Sequence, residues 1–413
     1  MIKKVYAREV FNNKGIPTVE VDILLEDGSL GRAAAPGGTS RGLSEALDLR
    51  DKDILYFNGM GVNKAISNVK NKIADKLIGE DATDQENIDR LLIQLDGTEN
   101  KSRLGGNAIV ATSLANAKAA AKSMKLELFE HLGGGRRIPI PFVYLMFGGP
   151  AYVGVKGICD FQEYALIALN TKSYKEGYLS TLVIYKRLCE IMKKKKSVYI
   201  PNLPGLTGTL VARFDSNNEA LDILTNIIEN EGYVPKKEFG IYIDLATSQL
   251  YKNGMYHLEA DKNILSRGEM IDKLVEMCNK YPIISMEDCL FEDDWNGWKT
   301  LTKKIGDKVQ LVGDDLFVTN IKRLKKGIEL GVANSIIIKP NQVGTLTETI
   351  DTIKLAKKKG YKTIASPRSG KLWDPHIVHL CVGQNLGQGK FVRCPIGGSY
   401  LNELIRIEEY LED

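Results

Sequence analysis

Five charged residues stand where an apolar run stops. Asp244 closes Gly-Ile-Tyr-Ile-Asp, Glu287 closes Ile-Ile-Ser-Met-Glu, and Asp314 follows Gln-Leu-Val-Gly. Lys339 closes Ser-Ile-Ile-Ile-Lys, and Arg368 follows Thr-Ile-Ala-Ser-Pro. If the apolar runs are neighbouring parallel strands, every one of these charges points into the same mouth, the end where barrel enzymes place their sites. Three carboxylates brought together there repel one another unless a cation joins them. All-oxygen ligands on rigid strands suit Mg²⁺ better than a transition metal. Lys339 would stand beside that ion, where desolvation and the dication both lower an ammonium's pKa and fit it to act as a base. One such acid is readily explained as a helix N-cap in a strand-to-helix loop. Three acids and a lysine on successive runs are not.

The elements that must position these charges change character along the chain. Val19 to Leu25 alternates with period two, and Asp27-Gly28 turns the chain toward Leu30 to Ala35, which predicts a hairpin. Two helices should follow, the second running from Asn107 to His131 and stopping at Gly133-Gly134-Gly135. Residues 1–135 thus read as an α+β unit. After it, short apolar runs alternate with amphipathic helices. The runs are Ile138 to Phe147, Phe161 to Leu169, Val198 to Ile200, Gly240 to Leu245, Ile283 to Met286, Val309 to Val312, Ser335 to Ile338, Thr363 to Ala365 and Phe391-Val392. Helices are expected over Ser173 to Lys196, Asn218 to Asn230, Gly268 to Lys280 and Thr345 to Lys359. Repeated βα units over residues 136–413 imply an α/β fold, a parallel barrel. An open doubly wound sheet is the alternative, but the phosphate-loop fingerprints such sheets often carry are absent.

Composition narrows the function classes. The chain has 413 residues, 43% hydrophobic and 26% charged, and a net charge of +4, too small to argue for a nucleic-acid or membrane surface. Lys193 to Lys196 end an amphipathic helix, where cations suit the helix dipole. No apolar stretch is long enough to span a bilayer, and Met-Ile-Lys-Lys-Val-Tyr-Ala-Arg-Glu lacks a signal-peptide core. The six cysteines form no Cys-x-x-Cys pair and read as small residues in a reducing cytoplasm.

Beyond these patterns, the chain resembles the enolase family over nearly its whole length. The resemblance rests on Ala7-Arg8-Glu9, Pro17-Thr18-Val19-Glu20, Leu95-Asp96-Gly97-Thr98 and Asn100-Lys101-Ser102. Further along it rests on Ser285-Met286-Glu287-Asp288, Val312 to Asn320, Lys339-Pro340-Asn341-Gln342 and Leu404 to Glu409. It implies an α+β N-terminal domain capping a modified (β/α)8 barrel, assembled as a homodimer or larger homo-oligomer. It also implies Mg²⁺-dependent reversible dehydration of 2-phosphoglycerate to phosphoenolpyruvate. Carried over by position, Asp244, Glu287 and Asp314 match the ligands of the first metal, and Ser40 falls where a loop serine binds a second. Lys339 matches the base, Arg368 and Ser369 the phosphate-binding pair, and Lys390 the carboxylate-binding lysine. Gln162 and Glu163 match the Gln-Glu near the leaving hydroxyl.

The departures from the family pattern share a theme. The family's Gly-Asp-Glu-Gly-Gly-Phe-Ala-Pro becomes Pro201-Asn202-Leu203-Pro204-Gly205-Leu206-Thr207-Gly208, so Leu203 stands where the catalytic acid belongs. Gly-Gly-Ala-His-Ala becomes Gly148-Gly149-Pro150-Ala151-Tyr152, and Ser-His-Arg-Ser becomes Ser366-Pro367-Arg368-Ser369. Two histidines are lost. His376 is the nearest substitute, though a helix-surface role is the simpler reading. The metal set, the base and the phosphate grip survive, while the groups around the leaving hydroxyl are largely gone. Losing one general acid or base costs about 10² to 10⁴ in rate, so dehydration should be weak. The surviving groups favour α-proton abstraction from a related small phosphorylated carboxylate. A degenerate enolase kept as a binding or scaffold protein and a glycolytic enolase using substitute residues are the other two readings.

Overall fold

The computed structural model describes residues 1–38, 42, 44–149, 159–195, 209–211, 213–370, 372, 374–395 and 398–412. The chain opens with an antiparallel sheet of β1 (Ile2–Phe11), β2 (Pro17–Leu25) and β3 (Leu30–Ala34), in that order. The hairpin is as expected, with Gly28 at φ 88° supplying the left-handed turn that a side chain would resist. β1 was not anticipated. A register shift between Ile2 and Lys4 breaks its period-two pattern, so the buried residues run Ile2, Val5, Ala7.

Helical residues 63–77 pack on β1, and two further helices follow in the chain. α1 (Gln85–Asp96) begins at Asp84, whose side chain accepts from the Asn87 amide, and ends at Gly97 with φ 66°. α2 (Gly106–Ser123) is buried along almost its whole length, packed on β2 and β3 on one side and on later helices on the other. That double burial explains its run of alanines. The expected single helix to His131 is interrupted: Lys125 takes φ 55°, and the chain resumes as a short helix, Leu128–His131, held by a reciprocal Glu127/Glu130 capping box.

The second part is a closed ring of strands. β4 (Phe142–Phe147), β5 (Glu163–Ala168), β6 (Phe239–Asp244), β7 (Ile283–Glu287), β8 (Gln310–Gly313), β9 (Ser335–Ile338), β10 (Lys362–Ala365) and β11 (Gly387–Gly389) pair in that order. The ring closes through a parallel bridge between Gln388 and Ile140, and a short β12 (Val392–Arg393) adds to β4. The apolar runs are strands because they are buried on both faces, as parallel barrels require. Phe142, Tyr144, Ala165, Ile167, Tyr242, Val312, Ile337 and Ile364 fill the inside of the ring. Alternate residues such as Ile241 and Ile243 face the surrounding helices.

One strand corrects the expected all-parallel ring. β5 is antiparallel to both β4 and β6, pairing Glu163 with Phe147 on one side and with Asp244 on the other. Only a parallel neighbour needs a long crossover, so the short stretch of chain between β4 and β5 suffices for an antiparallel pair. The expected strand Val198 to Ile200 lies outside the described residues. A small sheet of Tyr251–Lys252, Met255–Leu258 and Asn263–Leu265, not anticipated as a sheet, stands between β6 and β7 in the chain.

Candidate functional site

Asp244 and Glu287 are the last residues of paired strands and stand directly opposite each other in register. Asp314 and Lys339 immediately follow β8 and β9. Because β5 runs the other way, it is its first residue, Glu163, that reaches the same end of the ring. These side chains line one cleft of about 520 Å³ together with Gln162, Arg368, Ser369 and Lys390. Every sequence-identified site residue within the described part of the chain is therefore brought to one place.

The cleft is a lattice of buried opposite charges. The Lys390 ammonium donates to both oxygens of Glu287 at 2.7 and 2.8 Å, and stands 3.5 Å from Glu163 and 3.6 Å from Asp244. Burial alone would strip its proton. The charges of Glu287, Glu163 and Asp244 outweigh burial and hold Lys390 well above the ordinary lysine range. The Tyr242 hydroxyl donates to Glu287 from inside the ring. Asp244 is pushed well above the usual carboxylate range, first by burial and then by the charge of Glu287.

Asp314 pairs with Lys339 through one oxygen and accepts from Gln342 at 2.8 Å through the other. Burial opposes its ionisation, but Lys339, Lys390 and Arg368 outweigh burial and keep it below the ordinary value. The same contact acts on Lys339. Burial pulls the ammonium down, yet the charge of Asp314 prevails and raises it. The expectation of a lowered lysine is thus corrected for the chain by itself, because it assumed a cation occupying the oxygens that here face Lys339. Arg368 is buried and donates to Glu45 at 2.8 Å. Glu45 comes from the first part of the chain, where Gly37 and Gly370 also exchange backbone hydrogen bonds of 2.8 Å.

The donor set fits a cation. Asp244, Glu287 and Asp288 offer oxygens within 4.8 Å of one another, and so do Asp288, Asp314 and Asp315. All these ligands are carboxylates, the donor type of a hard divalent ion rather than a thiophilic one. Asp288 links the two groups but is also occupied, accepting from the amides of Asp314 at 2.9 Å and Asp315 at 3.1 Å. Burial and the neighbouring Asp315 and Asp314 push it well above the usual range. Asp315 is pushed up to about 7 by burial and by Asp314. Like charges buried at this density are costly by themselves, and a cation would relieve them.

Models of two enolase domains match the chain. The enolase N-terminal domain covers residues 2–132, and the enolase C-terminal TIM barrel domain covers residues 136–413. The chain belongs to the enolase family. Among the positions matched to enolase, Ser40, Leu203 and Leu206 lie outside the described residues, as do Pro150, Ala151 and Tyr152. Gln162 donates to Asp244 at 3.4 Å and accepts from Gln249 at 3.2 Å, so it belongs to the cleft's polar wall.

The histidines of this enolase-family chain need a correction. His376, expected on a helix surface, is buried, and so is His379. His379 faces Glu403 at 3.0 Å, and His376 faces Asp374 at 3.4 Å beside a second cavity of about 360 Å³ that shares Arg368 with the cleft. Sequence reasoning also missed Asp288, Asp315, Gln342 and Glu45. The first two are the second members of Glu287-Asp288 and Asp314-Asp315, and reading acidic pairs as units would have found them. Glu45 carried no signal, because only the packing of the first part of the chain on the ring brings it to Arg368.

Proposed function

We propose that this chain is a Mg²⁺-dependent enzyme that abstracts the α-proton of a small phosphorylated carboxylate, with Lys339 as the base. The observation supporting it is the convergence of buried carboxylates, two lysines and an arginine in a single cleft of a family member. In this reading Asp244, Glu287 and Asp314 hold the ion, with Ser40 serving a second one. Bound there, Mg²⁺ would stabilise the negative charge that develops on the substrate carboxylate. Arg368 and Ser369 take the phosphate, Lys390 the carboxylate, and Gln162 and Glu163 stand toward the β-carbon. Lys339 would receive the proton, and an ion held by Asp314 would weaken that carboxylate's hold on the ammonium.

Elimination needs a further proton delivered to the leaving hydroxyl, and Leu203 has none to give. Dehydration of 2-phosphoglycerate is therefore expected at a rate at least about 10³ below a complete enolase. The test is deuterium exchange at the α-carbon in D₂O with Mg²⁺, followed by NMR on 2-phosphoglycerate and 2-phospholactate. Exchange that disappears in Lys339→Ala supports the reading. Dehydration on the order of 10 s⁻¹ would overturn the second half of it and direct attention to Glu163 as the acid. If neither compound binds or exchanges at millimolar concentration, a binding or scaffold role is the better account. Assembly as a homodimer or larger belongs to the same reading and is checked by light scattering.

A further inference from the structure

The two oxygens of Glu287 are held differently. The Lys390 ammonium reaches Oε1 at 2.7 Å and Oε2 at 2.8 Å, and so distinguishes neither. The Tyr242 hydroxyl does distinguish them, because it donates to Oε2. Tyr242 is fully buried inside the barrel, its aromatic ring edge-on to Phe142 with centroids 4.5 Å apart. The Lys390 Nζ lies 5.0 Å from the centre of that aromatic ring. On the neighbouring strand Tyr242 is in register with the small residue Ser285, two residues before Glu287, so the hydroxyl meets the carboxylate from the barrel interior. An aromatic side chain packed in this way has little freedom to follow a carboxylate that turns.

Asp244 and Asp314 are tied in a similar way. The Ala246 amide donates to Oδ1 of Asp244 at 3.1 Å, and Gln342 donates to Oδ1 of Asp314 at 2.8 Å. The other oxygen of Asp244 meets Gln162 at a long 3.4 Å and Lys390 at 3.6 Å. Each of the three carboxylates thus has one oxygen fixed by a neutral donor. The inference rests on the reading proposed above, in which these three hold a divalent ion. A carboxylate with both oxygens available suits Ca²⁺, which accepts roughly six to eight oxygens in flexible geometry, whereas the smaller Mg²⁺ demands a near-ideal octahedron. We propose that Tyr242 is a specificity-determining residue of the ion site: its hydroxyl holds Oε2 toward the barrel interior, so that Glu287 presents Oε1 alone and the site takes Mg²⁺ in preference to Ca²⁺. Lys390 does not oppose this choice, since Glu163, 3.5 Å away, offers its ammonium another carboxylate.

The test titrates the full chain with Mg²⁺ and with Ca²⁺ alone, by calorimetry. The wild type is expected to bind Mg²⁺ more tightly. Tyr242→Phe keeps the aromatic ring and its packing, which near-ultraviolet circular dichroism checks, and removes only the hydroxyl. It should shift the ratio of the two dissociation constants toward Ca²⁺ by about tenfold, the scale of one charge-assisted hydrogen bond. Tyr144→Phe is the control, because its aromatic ring stands 5.6 Å from the same Lys390 ammonium. It should leave the ratio at the wild-type value, and a like shift there overturns the assignment to Tyr242. A merely structural Tyr242 would weaken both ions alike. A ratio unchanged in Tyr242→Phe, or a wild type that prefers Ca²⁺, therefore overturns the proposal while leaving the reading of the cleft intact. Binding of neither ion by the wild type at millimolar concentration overturns that reading and this inference with it.

Discussion

Lys390 faces three carboxylates within 3.6 Å, so one ammonium does the electrostatic work that a divalent ion would share. Removing it leaves Glu163, Asp244 and Glu287 buried beside each other. Lys390→Met is therefore expected to lower unfolding free energy by about 3–5 kcal/mol, the cost of breaking a buried pair by deleting one partner. Millimolar Mg²⁺ should restore a measurable part of that loss, because the ion supplies the missing charge. Urea unfolding with and without Mg²⁺ reads both effects. A variant whose stability ignores Mg²⁺ would remove the metal from this cluster.

At the scale of elements, direction and close approach matter more than propensity. The reversal of β5 carries Glu163 to the mouth; a parallel β5 would send it to the far end of the ring. β3 approaches α2 so closely that a methyl group on Gly31 would lie 2.0 Å from the Ala115 carbonyl oxygen and 2.4 Å from the Ala119 nitrogen. Backbone cannot yield as a flexible side chain does. Gly31→Ala is expected to destabilise by about 1–3 kcal/mol through overpacking, measured as a fall in the denaturation midpoint at unchanged slope. The helix Arg267–Lys280 gives a milder case, because Ser266 and Glu269 form a reciprocal cap at its start. Ser266→Ala should cost about 1 kcal/mol. A loss within a few tenths of zero would show that water replaces the cap.

Across the whole molecule, the first part of the chain is fastened to the ring by partly buried polar contacts. Asp89 of α1 accepts from the Thr347 amide at 2.9 Å and its hydroxyl at 2.7 Å, at the start of the helix Leu346–Lys358. Lys101 meets Glu348 at 2.6 Å, and Lys118 meets Asp374 at 2.6 Å. Burial pushes Asp89 up to about 6, the surrounding hydrogen bonds recovering only part of the shift. Its folded value thus lies above the unfolded one of about 3.9. A raised acid favours the folded state when protonated, so its contribution is full below about pH 4 and is lost as pH rises through 6. Against Asp89→Asn, which does not titrate, the wild type should gain about 2 kcal/mol of relative stability between pH 7 and pH 4. Parallel urea curves at several pH values check this. A pH-independent difference would mean that Asp89 stays ionised in the folded chain.

Much of the site was legible because its chemistry sits at strand ends. A charge that closes an apolar run has its place fixed by local periodicity, so Asp244, Glu287, Asp314 and Lys339 could be read without a fold. Gln162, Glu163, Ser369 and Lys390 came through likeness to the family's motifs, since no period marks them. The hairpin, the helix positions and the α/β rhythm were equally local. Tertiary structure decided the rest. The direction of β5 depends on which neighbour it pairs with, and β1 was hidden by a register shift. The burial of His376 and His379 depends on what packs over their helix. Glu45 comes to the cleft from a segment distant in sequence from most residues it faces. Even the sign of the Lys339 shift was a tertiary matter, because it turns on whether Asp314 faces the lysine or a cation. Periodicity determines what a residue's own strand or helix does with it; charge balance depends on neighbours that only the packed chain supplies.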